Sequence, residues 1–587
     1  MNELSGGTLE AGRRLDPILC EVVKNGLMLV AQEAGIRAAR SAGSTFVAAS
    51  AEIACTLYDA QARLIAQTEV GIMHSAALRA MLRAVLRDHP PETLVEGDVL
   101  IVNDPFAGGV HPTDVGAFRP VFHEGRPAFY CGLMMIVSDL GGMSSGGLPA
   151  NASECFHEGL TIPPTRLYRA GRLDEAVARL ICSNSRTPAK LMSDINALAA
   201  GGNVAALRLA EMVAKFGHQP LGEMIDELLD YSERLVRQGF SEMPDGVYTG
   251  SFTVENDGII PDRDYPVHVR IEIEGSECRL DFTGSAKQAT GAINSTASQT
   301  LSCVNYALRC HLDPTIPMNE GFYRPIDVLM PPGTVVNCSY PSACNIRLAT
   351  GQAVIDAVLQ ALSVIDETRS MAPGATVHTL NIQGATPDGE GLWSMLDVSF
   401  GSCGARHGED GGDGLPLLFH GQAGYERNLE GYEWGHPVLY RRYALMPDTG
   451  GAGRWRGGAG LVKEIEFQTD VVITARATDR FERPPPGIEG GRAGSGAGWI
   501  VNRGAPGEYR LPGKVTNHRL KAGDVLTVMC PGGGGLGDPI ERDPALVLAD
   551  VQDGMVSVGV ARDVYGVVLS ADGSGIDAAA TEARRRG

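Results

Sequence analysis

The sequence predicts a multidomain α+β protein: a helix-rich N-terminal half, a β-rich C-terminal half, and a site formed by loops at strand ends. Three observations carry this prediction. The 587 residues allow about three or four domains at ~150 residues each. Residues 16–40 show apolar positions at helical spacing and 173–240 is rich in Ala, Leu and Met, whereas 246–282 alternates with period two. Beyond about Trp393, short strand-like runs are separated by Gly-rich turns. Gly (74) and Pro (34) together make up about 18% of the chain, against the usual ~12%. They show no collagen period, so they point to tight turns and loop-built sites.

Taken in order, Asp16 and Pro17 open the first helix as N-cap and first helical residue, and Ile18, Val22, Leu29 and Ile36 give it an apolar stripe. Ile53–Tyr58, Asp59–Ala62 and Arg63–Ala66 read as strand, turn and strand. His74–Leu86 reads as a helix, Asp98–Val102 as a short strand, and Gly132–Asp139 as a second buried strand. Helices are predicted over 173–240, 300–312 and 351–362, with a strand at 326–330 and a last helix at 544–551. The expected regions are 15–150 (α/β, carrying the site), 151–242 (helical), 243–390 (α+β), 391–570 (β-rich, Gly-rich) and 571–587 (tail). No internal repeat is visible.

The charge balance of 50 Lys+Arg against 70 Asp+Glu, net −20, argues against nucleic-acid partners, which want clustered basic residues. The only basic run, Arg584–Arg586, reads as a solvated tail. No run approaches the ~18 apolar residues of a membrane span, and residues 1–14 lack an apolar secretion core, so a soluble cytoplasmic protein is expected. Twelve Cys without Cys-x-x-Cys or zinc-finger spacing read as reduced core residues. Walker A, G-x-S-x-G and H-E-x-x-H patterns are absent.

Two loops carry most of the chemistry-bearing residues. Asn103-Asp-Pro-Phe-Ala-Gly-Gly-Val-His-Pro-Thr-Asp114 follows a strand directly, and its His111 and Asp114 form an imidazole–carboxylate pair suited to a divalent metal. Asp104 and Asp114 equally suit turn capping. Ser138-Asp-Leu-Gly-Gly-Met143 ends the next strand with an acid and glycines, so the two strand ends could converge. Gly404–Gly414 mixes acids, a base and glycines without EF-hand spacing, and the runs Gly450–Gly458 and Pro531–Pro539 offer either phosphate cradles or close backbone crossings.

These strings, with Cys55-x-Leu-Tyr-Asp59, Leu64-x-Ala-Gln67, Glu158-Gly-Leu160, Asn184-Ser-Arg-Thr-Pro188, Gly291-Ala-Ile-Asn294 and Asn319-Glu-Gly321, occur in one order from about residue 15 to 570. In this the chain resembles the hydantoinase B family: B-type subunits of ATP-dependent hydantoinases and lactamases, the C-terminal part of 5-oxoprolinase, and the α subunit of acetone carboxylase. The resemblance implies a hetero-oligomer in which ATP is held by a separate actin-like A-type subunit that phosphorylates the substrate. The B-type subunit then opens a cyclic amide, or, in the ketone carboxylases, carboxylates an enolate. A third reading is a non-catalytic scaffold for the A-type partner.

The resemblance also implies a divalent metal (Zn, Mn or Fe) held by His111 and Asp114, with a further His from a His-His-x-Asp string. Here that string reads Ile136-Val137-Ser138-Asp139, so both histidines are aliphatic. A family Asp falls on Glu52, and a family His on His74. The expected site therefore comprises His111, Asp114 and Asp104 around a metal or an attacking water. Asp139, Glu52 and His74 are the candidates for base, extra ligand or proton transfer.

Overall fold

The computed structural model describes residues 16–44, 53–69, 71–386, 389, 391–417, 419 and 429–586. Its first unit is a seven-stranded antiparallel sheet. The strands are β1 (Ala54–Asp59), β2 (Leu64–Gln67), β3 (Val99–Val102), β4 (Asp114–His123), β5 (Arg126–Ile136), β6 (Thr165–Arg169) and β7 (Arg172–Leu173), in the order β2-β1-β5-β4-β3-β6-β7. Successive residues of β4 and β5 face opposite sides, and both sides are covered. Val115, Ala117, Leu133 and Met135 pack under the helices Pro17–Ser41, Pro188–Phe216 and His218–Ser241, while Phe118, Tyr130 and Met134 pack under the helix Ser75–Asp88.

The predicted first helix starts as expected, with Asp16 Oδ1 accepting from Ile18 N at 2.9 Å, but the stripe Ile18, Val22, Leu29 and Ile36 is exposed and the buried face carries Val23, Leu27, Val30 and Ala34 instead. The stretch 173–240 divides into Glu175–Cys182, Pro188–Phe216 and His218–Ser241. Of these, Pro188–Phe216 is long and apolar enough by length and composition to cross a membrane, although the sequence showed no unbroken apolar run. Its Leu191, Ile195, Leu198 and Leu209 instead fill the first core.

A second sheet, β8 (Gly246–Glu255), β9 (Asp264–Glu274), β10 (Glu277–Asp281) and β11 (Ile326–Leu329), packs against the helices Ala297–His311 and Leu348–Ser363. The β-rich half is a sandwich. One layer holds β12 (Val377–Ala385), β13 (Leu392–Phe400), β16 (Val471–Ala477) and β19 (Lys514–Leu520). The other holds β14 (Val438–Leu445), β15 (Leu461–Phe467), β17 (Gly498–Val501), β18 (Tyr509–Leu511) and β20 (Val525–Met529). Leu380, Ile473, Ile465, Leu526 and Trp499 meet between the layers.

The glycine runs are close crossings. Gly451 N donates to Gly533 O (2.8 Å), Gly533 N to Gly458 O (2.9 Å) and Gly458 N to Cys403 O (3.0 Å), so these amides are spent between strings rather than turned toward a phosphate. A Cβ on Gly533 would lie 1.9 Å from Cys403 O. Buried Arg456 and Arg542 clamp the same region through Asp413, Asp410 and Asp550.

The basic tail is a correction. Residues Ala578–Arg586 form a helix, and Arg585 donates to Tyr565 O (3.0 Å) and Arg542 O (2.7 Å), so it docks rather than frays. All twelve Cys are free.

Gly533→Ala should lower the urea midpoint by the equivalent of about 3 kcal/mol through backbone overlap. By contrast Gly222→Ala, in a helix with nothing within 4 Å of the new Cβ, should raise it by the equivalent of up to ~1 kcal/mol.

Candidate active site

β3, β4 and β5 run as a meander, so the ends of β3 and β5 and the start of β4 share one edge of the first sheet. The loop from Asn103 to Thr113 crosses that edge. Asn103 Nδ2 donates to Leu160 O at 2.9 Å. Gly108, at φ +99°, lies against the backbone of Ala80 and Met81, where a Cβ would come within 2.7 Å. The hydroxyls of Thr296 and Ser298 donate to Gly109 O (2.9 Å) and Gly108 O (2.8 Å). The loop is thereby pinned between two helices, and it delivers His111 and Asp114 inward.

Asp114 opens β4, and its Oδ2 is the centre of the site. His111 Nε2 lies 3.0 Å from it, His74 Nε2 3.3 Å and Arg347 Nη2 2.8 Å. His74 is the residue immediately before the helix Ser75–Asp88, and Arg347 stands immediately before the helix Leu348–Ser363. None of the four is more than 7% exposed. Arg347 Nε also donates to Gln299 Oε1 at 3.3 Å.

Burial and the neighbouring Arg347 lower His111 to about 4, against the pull of Asp114. Burial alone would raise the Asp114 carboxyl, but its cationic neighbours outweigh it and hold the group well below the usual carboxylate range. Since His111 is neutral near neutral pH, the fixed cation that keeps Asp114 ionised is Arg347. With His111 Nε2–H donating to Asp114, Nδ1 accepts from Thr113 Oγ1 at 2.7 Å. Both nitrogens of His111 are therefore engaged. Neither ring nitrogen of His74 makes a hydrogen bond among the described residues: Nε2 approaches Asp114 without one, and Nδ1 has no partner.

A second layer fixes Arg347. Glu158 accepts from Cys344 N (2.8 Å), Asn345 N (2.7 Å) and Asn345 Nδ2 (2.7 Å). Arg476, from β16, donates to Asn345 O (2.9 Å) and Oδ1 (2.6 Å). The site thus lies where the first sheet, the helices of the second unit and the sandwich meet.

Of the residues singled out in the sequence, His111, Asp114 and His74 come together. Asp104 does not join them: its Oδ1 caps its own turn, accepting from Phe106 N at 2.9 Å. Asp139 also serves structure. Its two oxygens accept from Gly141 N, Gly146 N and Arg186 N, each at 2.9 Å, and from Arg186 Nη1 at 3.1 Å, and this carboxylate makes no hydrogen bond to the cluster. Glu52 lies outside the described residues. Arg347, Glu158 and Arg476 were not singled out as site residues. They lie 233, 44 and 362 positions from Asp114 in sequence, and no local spacing links them to it.

Among the described residues no group of three or more His, Cys, Asp or Glu side chains is arranged to hold a metal ion. Among the described residues the donor set does not fit a divalent ion. Arg347 occupies the Asp114 oxygen that would bind the ion, and the strand register places aliphatic Ile136 opposite Asp114.

A sequence model described as hydantoinase B/oxoprolinase matches residues 16–539. The chain belongs to the hydantoinase B/oxoprolinase family. Among family members, the caprolactamase β subunit of Pseudomonas jessenii is 31% identical over 97% of this chain and 99% of its own. The crystal structure of the ATP-dependent caprolactamase from that organism superposes with a TM-score of 0.89 at 29% identity, covering 98% of this chain and 100% of that one. A protein described as the B component of a D-/L-hydantoinase, from Pseudomonas sp. strain NS671, is 29% identical over 98% of both chains. The nucleotide-free structure of acetone carboxylase matches with a TM-score of 0.88 at 22% identity, over 97% of this chain and 83% of that one; this likeness establishes a shared fold alone.

Burial pushes Glu158 up from 4.5 to about 7, against the hydrogen bonds from Asn345 and Cys344. A carboxyl raised in this way contributes stability fully below its unfolded value and loses it as pH rises through about 7. Melting wild type beside Glu158→Gln from about pH 5 to about pH 8 should therefore show the wild type losing ground, by on the order of 3 kcal/mol at most.

Proposed function

We propose that this chain is the ring-opening subunit of an ATP-dependent hydrolase for cyclic amides of the hydantoin, oxoproline or lactam type. It acts on substrate whose amide oxygen has been phosphorylated by an actin-like partner that carries the ATP site. The observation that carries the reading is the buried Asp114 carboxylate with His74 and His111 set against one oxygen. The full-length likeness to a caprolactamase β subunit and to the B component of a hydantoinase supports the choice of substrate class.

The roles follow from the arrangement around Asp114. Asp114 is kept ionised with its Oδ2 3.3 Å from His74 Nε2, and His74, with Nδ1 unpartnered among the described residues, is the group that takes a proton from water. His111, neutral and held by Thr113, shapes the cluster without competing for that proton. Phosphorylation of the amide oxygen makes the ring carbon electrophilic. Water adds to that carbon and its proton passes to His74. The ring C–N bond then breaks, with the nitrogen carrying the proton away, and a second water hydrolyses the remaining acyl phosphate to carboxylate and phosphate. Burial keeps bulk water from dissipating the charge pattern.

The test is reconstitution with the ATP-binding partner and assay of ring-opened product and ADP over a panel of hydantoins, 5-oxoproline and lactams. His74→Ala should lower ring opening by about 10²–10⁴-fold. Full ring opening by both His74→Ala and His111→Ala would overturn the assignment. ATP turnover that requires bicarbonate and yields a carboxylated ketone would replace the hydrolase with a carboxylase.

A further inference from the structure

We infer that Arg347 stands in for a divalent ion at Asp114, so that this site works with a built-in guanidinium and binds no metal. The inference rests on reading this cluster as the reaction centre. Two independent features support it, one on each side of the carboxylate.

The first is the strand register. β4 and β5 pair with Asp114 directly opposite Ile136, and residues directly opposite in an antiparallel pair project from the same face of the sheet. Position 136 is therefore the point on β5 from which a side chain could reach an ion on Asp114. Position 137 lies just past the end of β5, and Val137 and Ile136 both pack against the core beneath the helix Pro17–Ser41. Both residues are aliphatic, so this strand end supplies no donor to an ion on Asp114.

The second is charge. Arg347 Nη2 lies 2.8 Å from Asp114 Oδ2 and the residue is 5% exposed. Its Nε is tied to Gln299, and the backbone on which it stands is held by Glu158 and Arg476. A dication on Oδ2 would sit against a buried guanidinium 2.8 Å from the same oxygen. The two arrangements exclude each other, and the residues present build the guanidinium one.

Loading chelator-treated protein with Zn²⁺ or Mn²⁺, dialysing, and measuring metal per chain by elemental analysis tests this without reference to turnover. Wild type should retain less than a tenth of an ion per chain. Ile136→His/Arg347→Met should retain close to one, and lose it when His111→Ala is added. Near-stoichiometric metal on wild type that disappears in His111→Ala would overturn the inference. So would a double variant that melts cooperatively yet takes up no ion, since Arg347 and Ile136 would then not be what excludes it. Loss of cyclic-amide turnover in the reconstituted enzyme bears on the proposed reaction, whereas metal per chain bears on Arg347 alone.

Discussion

The ion pair between Asp114 and Arg347 is the contact on which the rest of the site depends. Asp114 belongs to the first sheet and Arg347 to the start of the helix beneath the second. Arg476 of the sandwich grips the backbone two residues before Arg347. A carboxylate so deeply buried is costly unless paired and hydrogen-bonded. Here the same oxygen receives a guanidinium and faces two imidazoles, so the pairing that makes burial tolerable also gathers both histidines around one carboxylate. The contacts that join the three units are the contacts that organise the site.

That arrangement explains the division of labour between the imidazoles. His111 is lowered to about 4 and has both nitrogens engaged, which suits a positioning residue. His74 lies 3.3 Å from the same carboxylate oxygen with neither nitrogen hydrogen-bonded among the described residues, which suits a proton acceptor. The fixed charge of Arg347, 2.8 Å from Oδ2, favours the ionised form of Asp114.

Much of this was legible in the sequence, for reasons that can be named. The capped helix starting at Asp16, the alternation over 246–282 and the loop after Val102 are local patterns, and local patterns survive without knowledge of the fold. His111 and Asp114 were visible because they lie three residues apart on one Gly-rich loop. Asp104 and Asp139 carried the same outward signature, an acid beside Pro or Gly, yet both cap turns; sequence cannot separate an acid that serves its own loop from one aimed across it. Arg347 and Glu158 were not recognised because their partners are joined only by the tertiary fold. The glycine runs were ambiguous until their amides were seen bonded to one another. The Arg584–Arg586 tail misled because charge alone does not reveal that Arg585 reaches the carbonyls of Tyr565 and Arg542.

The most direct measurement of the central claim is a double-mutant cycle on stability with Asp114→Asn, Arg347→Met and both together. If this pair organises the site, each single variant costs about 3–5 kcal/mol by leaving a buried charge or donor unpaired. The double variant then costs far less than the sum, with a coupling of about 3 kcal/mol. Costs that add to within about 0.5 kcal/mol would show that Asp114 and Arg347 do not act on each other, and would contradict the account.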